Sequence, residues 1–185
     1  MFKEMFDKAT GSDSVVSMLK DDHKKVQTLF KEFEEAEDRR TKTQVAQKAL
    51  QELEVHAALE EEIIYPAFRT EIEEEEVMME ALEEHHVAHF LIGELKRMGP
   101  GDERFDAKFK VLAESVKHHI KEEESKVLPE AEESDTPELL EQVMERKEQL
   151  LRGTARPKRR GAVQAKTRSH TRGKTGSRGK RRAVA

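Results

Sequence analysis

From Ser14 to about Glu37 the apolar residues Val16, Leu19, Val26, Leu29, Phe30 and Phe33 recur at threes and fours, the spacing that lines one face of a helix. The preceding Gly11-Ser12-Asp13-Ser14 cluster suits an N-cap, so the pattern predicts a first helix starting near Ser14. A second pattern, with Val45, Ala49, Leu53, Leu59 and Ile63 on one side, starts near Thr41 and runs to about Phe68, with Pro66 as a kink or near-terminal stop. A third spans Glu71 to Met98 and ends at the breaker Gly99-Pro100-Gly101. A fourth runs from about Asp102 to Leu128, carries Phe105, Phe109, Leu112, Val116 and Val127, and stops at Pro129. Thr136 then reads as an N-cap with Pro137 at the first helical position, opening a short helix to about Leu151.

Four long amphipathic helices with short connections, and no run of alternating β-branched residues, imply an all-α fold. The expected architecture is an up-down four-helix bundle over residues 14–130, preceded by an N-terminal segment, 1–13, with the additional helix, 136–151, packed outside. With 35% apolar and 39% charged residues, the chain supports one modest core.

Charge divides the chain in two. Residues 1–151 hold 21 Lys and Arg against 39 Asp and Glu, a net of −18, whereas residues 152–185 hold 13 Lys and Arg and no acid. That tail has few large apolar groups to offset its ordering entropy and is expected to be disordered when free. Arg156, Lys158, Arg159, Arg160, Arg172, Lys174, Arg178, Lys180, Arg181 and Arg182 suit phosphate contacts with nucleic acid or another polyanion. Without an aromatic residue the tail has no base-stacking platform. The start of the chain lacks a signal-peptide pattern and no stretch approaches 18 uninterrupted apolar residues, which predicts a cytoplasmic protein without a membrane span. The oligomeric state is left open.

No cysteine is present, so any metal must be held by imidazole and carboxylate. The candidate ligands lie in a repeat. HAALEEEIIYP, from His56 to Pro66, and HIKEEESKVLP, from His119 to Pro129, share a His, a Glu four residues later and a Pro ten later. The helices before them, DDHKKVQTLFKEF and EEHHVAHFLIGEL, share two acids and a His, aligning His23 with His85. The chain thus reads as two helical hairpins, each with a lone His on its first helix and a His-x-x-x-Glu on its second.

At about 100° per residue, His56 and Glu60 fall on the arc that holds Ala49, Leu53 and Ile63. His119 and Glu123 fall with Leu112 and Val116, His23 with Leu19 and Phe30, and His85 with Met78 and Ile92. Four histidines and two glutamates would therefore face one core, at roughly 1–3 kcal/mol for each polar group left unpaired. Metal coordination resolves that cost. Imidazole with carboxylate suits Fe, Mn, Zn or Ni, and two glutamates on facing helices can bridge a pair of ions. His89 lies one turn beyond His85 and is a seventh candidate, whereas His86 and His118 project towards the flank or solvent. Glu61 and Glu124 read as a solvated acidic face, Tyr65 as a surface or rim residue. The acidic run IEEEEVMMEALEE lacks the loop spacing of a calcium site.

The repeated His and His-x-x-x-Glu order resembles the hemerythrin-like family, in particular proteins with the HHE cation-binding domain, over about residues 14–130. The resemblance implies a non-haem di-iron centre in a four-helix bundle. His23 and His56 would hold one iron, His85, His89 and His119 the other, with Glu60 and Glu123 bridging and dioxygen binding at the open position of the two-His iron. The last motif departs from the oxygen-carrying hemerythrins, in which a His is followed five residues later by Asp. That departure favours the broader, functionally mixed HHE group. The expected function is binding or sensing of dioxygen, nitric oxide or peroxide. The alternative is iron storage, scavenging or protection from oxidative damage, with the tail on DNA or another polyanion; peroxide- or oxygen-reducing enzyme chemistry ranks below both.

Overall fold

The computed structural model describes residues 12–69, 72, 75–98, 101–131 and 134–154. The first eleven residues, Gly99, Pro100 and the tail from residue 155, including all ten candidate phosphate-contacting residues, lie outside the described residues. Among the described residues every regular element is a helix: α1 (Val15–Glu35), α2 (Arg39–Leu59), a π turn (Glu60–Ile64), α3 (Tyr65–Phe68), α4 (Glu75–Arg97), α5 (Phe105–Glu122), a second π turn (Glu123–Val127) and α6 (Pro137–Thr154).

The helix starts follow local hydrogen-bonding chemistry. Ser14 caps α1 by accepting from the Ser17 amide at 3.1 Å, and the Ser14 amide donates to Ser17 Oγ at 3.4 Å. Asp135, distant in sequence, adds a second cap, accepting from the Val15 and Val16 amides at 2.7 and 3.0 Å. A carboxylate at a helix N-terminus also meets the positive end of the helix dipole. Asp135→Ala is expected to cost about 1–2 kcal/mol, the upper range for losing a cap, seen as a lower urea midpoint with an unchanged denaturant slope. Asp38 opens α2 two residues before the expected start, because its carboxylate accepts from both the amide and the hydroxyl of Thr41. Thr136 caps α6 as its sequence suggests, with Oγ1 3.2 Å from the Leu139 amide.

Pro66 sits near the end of its helix, which runs to Phe68 as expected and takes the proline through a widened turn. The Tyr65 amide bonds to the carbonyl of Glu60, five residues back, and Leu128 does the same with Glu123 at 3.0 Å. Proline lacks a donor and crowds the carbonyl four residues earlier, so a widened turn lets the helix pass where a regular turn would clash. Both π turns begin on the glutamate of the His-x-x-x-Glu repeat and lead directly into Tyr65-Pro66 and Leu128-Pro129.

α1 pairs with α2, and α4 with α5, as two hairpins whose inner faces form one bundle. The interior is two apolar clusters. One holds Phe30, Phe33, Leu53, Phe105, Phe109 and Leu112; the other holds Val15, Leu19, Leu59, Phe68, Met78 and Val127. α6 covers the second cluster with Leu139 and Val143, and Arg146 makes a two-pronged ion pair with Glu62 at 2.7 and 3.0 Å. Among the described residues no helix is long and apolar enough to cross a membrane.

Candidate metal centre

The two apolar clusters leave between them a polar layer. His23, His56, Glu60, His85, His119 and Glu123 are all buried, and they are the buried polar or charged residues of the described chain. Each hairpin supplies one lone His and one His-x-x-x-Glu, whose four-residue spacing stacks both side chains on one helix face. The π turn starts at the glutamate, so its widening displaces the helix only beyond the ligand pair.

The side chains form two sets. His23, His56, Glu60 and Glu123 place one ligand atom each within 4.8 Å of one another, and so do Glu60, His85 and His119. Glu60 belongs to both: Oε1 is 3.1 Å from His56 Nε2 and Oε2 is 3.2 Å from His85 Nε2. Glu123 Oε2 lies 3.1 Å from His23 Nε2. The histidine pairs close the sets, with Nε2 to Nε2 separations of 3.2 Å for both His23–His56 and His85–His119.

The carboxylate contacts are short in distance but poor as hydrogen bonds. Both oxygens of Glu60 and Oε2 of Glu123 are buried and make none. Orphaned carboxylate oxygens, each costing roughly 1–3 kcal/mol or more, are what remains when lone pairs converge on a common point and not on one another. The donor set, imidazole and carboxylate without sulfur, fits divalent first-row metals.

Behind this layer stands a second ring of acids. Nδ1 of His23 is 2.8 Å from Glu124, that of His85 is 3.0 Å from Glu61, and that of His119 is 2.9 Å from Glu84. Nδ1 of His56 is 3.8 Å from Asp22, whose carboxylate is held by Lys147 of α6 at 2.7 and 2.6 Å. A carboxylate on Nδ1 fixes the tautomer that leaves Nε2 free to ligate. Glu61 and Glu124 are therefore not simply a solvated face, and each reaches a histidine of the opposite hairpin. Asp22 and Glu84, each the residue just before a lone His, serve the second His of their own hairpin. The doubled acids before His23 and His85 carried this signal in the sequence. Glu124→Ala is expected to weaken metal binding about 10–100-fold, the usual range for outer partners, by isothermal titration.

Tyr65 also stands apart from its expected place at the surface. It is 3% exposed, its ring stacks on His85 at 5.6 Å, and its hydroxyl donates to Glu123 Oε1 at 3.3 Å. Burial, then the charges of Glu60 and Glu123, hold its hydroxyl well above the usual tyrosine value, so it stays a donor. His89, expected on the second metal, is 42% exposed, and its Nε2 lies 2.9 Å from Glu61, outside both ligand sets. One turn past His85 the helix has risen above the polar layer and turned towards its rim, where Glu61 meets the ring. His118 is exposed with Nε2 3.7 Å from Glu84, and His86 is exposed.

Protonation balances the charges. Burial opposes a charge on His56, yet Glu60, Asp22 and Glu123 outweigh it and raise its pKa to about 10. His85 is raised as well, since Glu60 and Glu61 overcome its burial. Glu60 falls well below the carboxylate range despite burial, through His56 and His85, whereas burial and the charge of Glu60 raise Glu123. Burial likewise opposes ionisation of Asp22, but His56 and Lys147 keep it low. A histidine raised from 6.5 to about 10 contributes stability in full below 6.5 and loses it as pH climbs through 10. Metal must displace that proton, so binding strengthens over the same range. The thermal midpoints of metal-free and metal-loaded protein are expected to diverge as pH rises from 6.5 towards 10, the metal-free midpoint falling.

A pocket reaches the layer, lined by His23, His56, His85, His119, His89 and apolar Val26, Leu53, Ala88 and Ile92.

With this geometry in view, comparisons with known proteins place the fold. The hemerythrin HHE cation-binding domain model matches residues 14–131. A crystal structure of a hemerythrin HHE cation binding domain-containing protein from Mycobacterium kansasii superposes with a TM-score of 0.65, at 23% identity, over 77% of this chain and 90% of that one. Among curated proteins, a DNA nickase of Nostoc is 29% identical over 119 residues, covering 62% of this chain and 34% of the nickase. An uncharacterized hemerythrin-like protein of Schizosaccharomyces pombe is 29% identical over 110 residues, covering 58% of this chain and 54% of that protein. The chain thus spans about a third and about half of the curated relatives it matches. The duplicated His and His-x-x-x-Glu ligands, the buried polar layer and the match over residues 14–131 together make this chain a member of the hemerythrin HHE cation-binding domain family.

Proposed function

We propose that this protein holds two iron ions between its hairpins and binds dioxygen or a related small ligand there, nitric oxide and peroxide included. The observation that carries the reading is the convergence of four Nε2 atoms and two glutamates in two ligand sets joined by Glu60. His23, His56, Glu60 and Glu123 would hold one ion, and Glu60, His85 and His119 the other. Paired iron supplies redox electrons and open coordination positions for a small ligand.

The chain contributes the surroundings. Carboxylates on Nδ1 of His23, His85 and His119 keep those imidazoles turned inward, and the apolar side of the pocket limits the water that follows a diatomic molecule to the centre. Tyr65 donates its proton to Glu123 Oε1 and so steadies that carboxylate at the buried edge of the layer. With two histidines in each ligand set, the arrangement is nearly symmetric, unlike the three-His and two-His division that the resemblance alone implies.

The test is the visible spectrum of anaerobically reduced, iron-loaded protein before and after air. A band that appears with oxygen and disappears on its removal supports reversible binding. Irreversible oxidation instead favours iron handling or peroxide chemistry, and Mn or Zn in protein from iron-replete cells argues against an oxygen carrier.

A second reading adds polyanion binding through residues 152–185, favoured by their 13 cationic side chains without an acid. Retention of the full chain on DNA that is lost steeply between low and moderate salt supports it.

A further inference from the structure

Six large apolar side chains are exposed among the described residues, and four of them, Met79, Leu82, Val87 and Phe90, lie on α4. Phe90 is 60% exposed and Met79 54%. Lone exposed apolar residues are ordinary, but these are not scattered. Met79, Leu82, His86, Phe90, Gly93 and Arg97 follow one another at steps of three and four and so form one continuous stripe on the outer face of α4. Gly93 keeps the stripe low at its far end, since beyond its missing Cβ only the tip of Arg97 comes near, at 3.8 Å.

The charges of α4 are polarised along its length. Glu75, Glu76, Glu80, Glu83 and Glu84 occupy its first half, whereas its last turn holds Lys96 and Arg97 beside Glu94, which pairs with Lys108. A parallel copy would set acid against acid. An antiparallel copy sets the acidic half against the basic end at both extremities of the contact. With the twofold axis at His86, Met79 falls opposite Gly93, Leu82 opposite Phe90 and Glu75 opposite Arg97. Large meets small, apolar meets apolar and acid meets base. Within one chain Glu75 also pairs with Arg69 and Lys96 with Glu54, so the complementarity rests on the net sign of each end and not on single pairs.

We infer that α4 is a self-association surface, and that two copies of this chain pair through it antiparallel about a twofold axis near His86. A second copy is the occupant this face selects, because a partner of one charge would match only one end. Such a contact is isologous and closes after two subunits. It leaves the pocket rim at His89 beside the seam, so each copy's metal centre would open next to the interface.

The absence of cysteine makes the register directly testable. The full-length His86→Cys variant can form only an intermolecular disulfide, and it is expected to do so on mild oxidation far faster than Lys31→Cys, at an exposed site on α1. Light scattering of the unaltered chain is expected to give twice its 21.3 kDa mass, falling to a single chain in Leu82→Lys and Phe90→Lys, with helical circular dichroism unchanged. A single-chain mass at every concentration overturns the proposal, as does a dimer indifferent to both lysine substitutions. If either lysine variant fails to fold, the cysteine pair decides: cross-linking of His86→Cys no faster than Lys31→Cys overturns the antiparallel register and the interface with it.

Discussion

Glu60→Ala is expected to abolish tight binding at both metal positions, while His119→Ala leaves one. Glu60 is the residue common to the two ligand sets, one oxygen facing His56 and the other His85. Its removal takes a negative ligand from each ion and also the chief group that raises His56, so competition from the proton weakens even as the ligand count drops. The loss of ligands dominates, because it leaves the second ion a neutral imidazole pair and the first a single carboxylate against a divalent charge in a buried layer. Affinity is expected to fall by more than about 100-fold, beyond the range for outer partners such as Glu124. Metal analysis after dialysis checks this: near zero per chain for Glu60→Ala and near one for His119→Ala. Full occupancy in Glu60→Ala would mean that the ligand sets are wrongly drawn.

Phe109→Ala is expected to be the most damaging single truncation of the apolar interior, at about 3–5 kcal/mol. Phe109 is 1% exposed and packs between Phe33, at 4.1 Å between ring centroids, and Phe30, at 5.8 Å in an edge-to-face arrangement. It thereby ties α5 of one hairpin to α1 of the other. Against a total stability of about 5–15 kcal/mol, this leaves a metal-free protein close to unfolding. Urea denaturation with a chelator present measures it, and bound metal is expected to restore part of the loss, because it binds only the folded centre.

What was legible in the sequence followed from period and repetition. The threes and fours of Leu29, Phe30 and Phe33, or of Phe105, Phe109 and Leu112, mark faces directly, and a single axis of duplication relates the ligands. The inward direction of His56 and Glu60 needed only the helical angle. The rest depended on distances between elements, which a single helix does not encode. Glu61 and Glu124 lie off the inner arc of their own helices, yet each meets a histidine arriving from the opposite hairpin. Tyr65 is carried inward by the π turn before it, which shifts the register that regular helical geometry assigns. His89 shows the same limit from the other side: its angle is close to that of His85, but one turn of rise sets it beside Glu61 and outside both ligand sets.

The duplication makes the two halves alike in their histidines, but their surroundings are unequal. Asp22 and Glu84 hold equivalent places, but Lys147 of α6 reaches only Asp22. α6 has no counterpart in the repeat, so its cation falls on one half alone.

If two metals share one buried layer joined by Glu60, anomalous diffraction at the iron edge from crystals of iron-loaded protein will show them. Two peaks are expected, one beside His23 and His56, the other beside His85 and His119, with Glu60 between them and His89 outside. No peak in this layer, or iron found only on the acidic surface of α4, would contradict that arrangement.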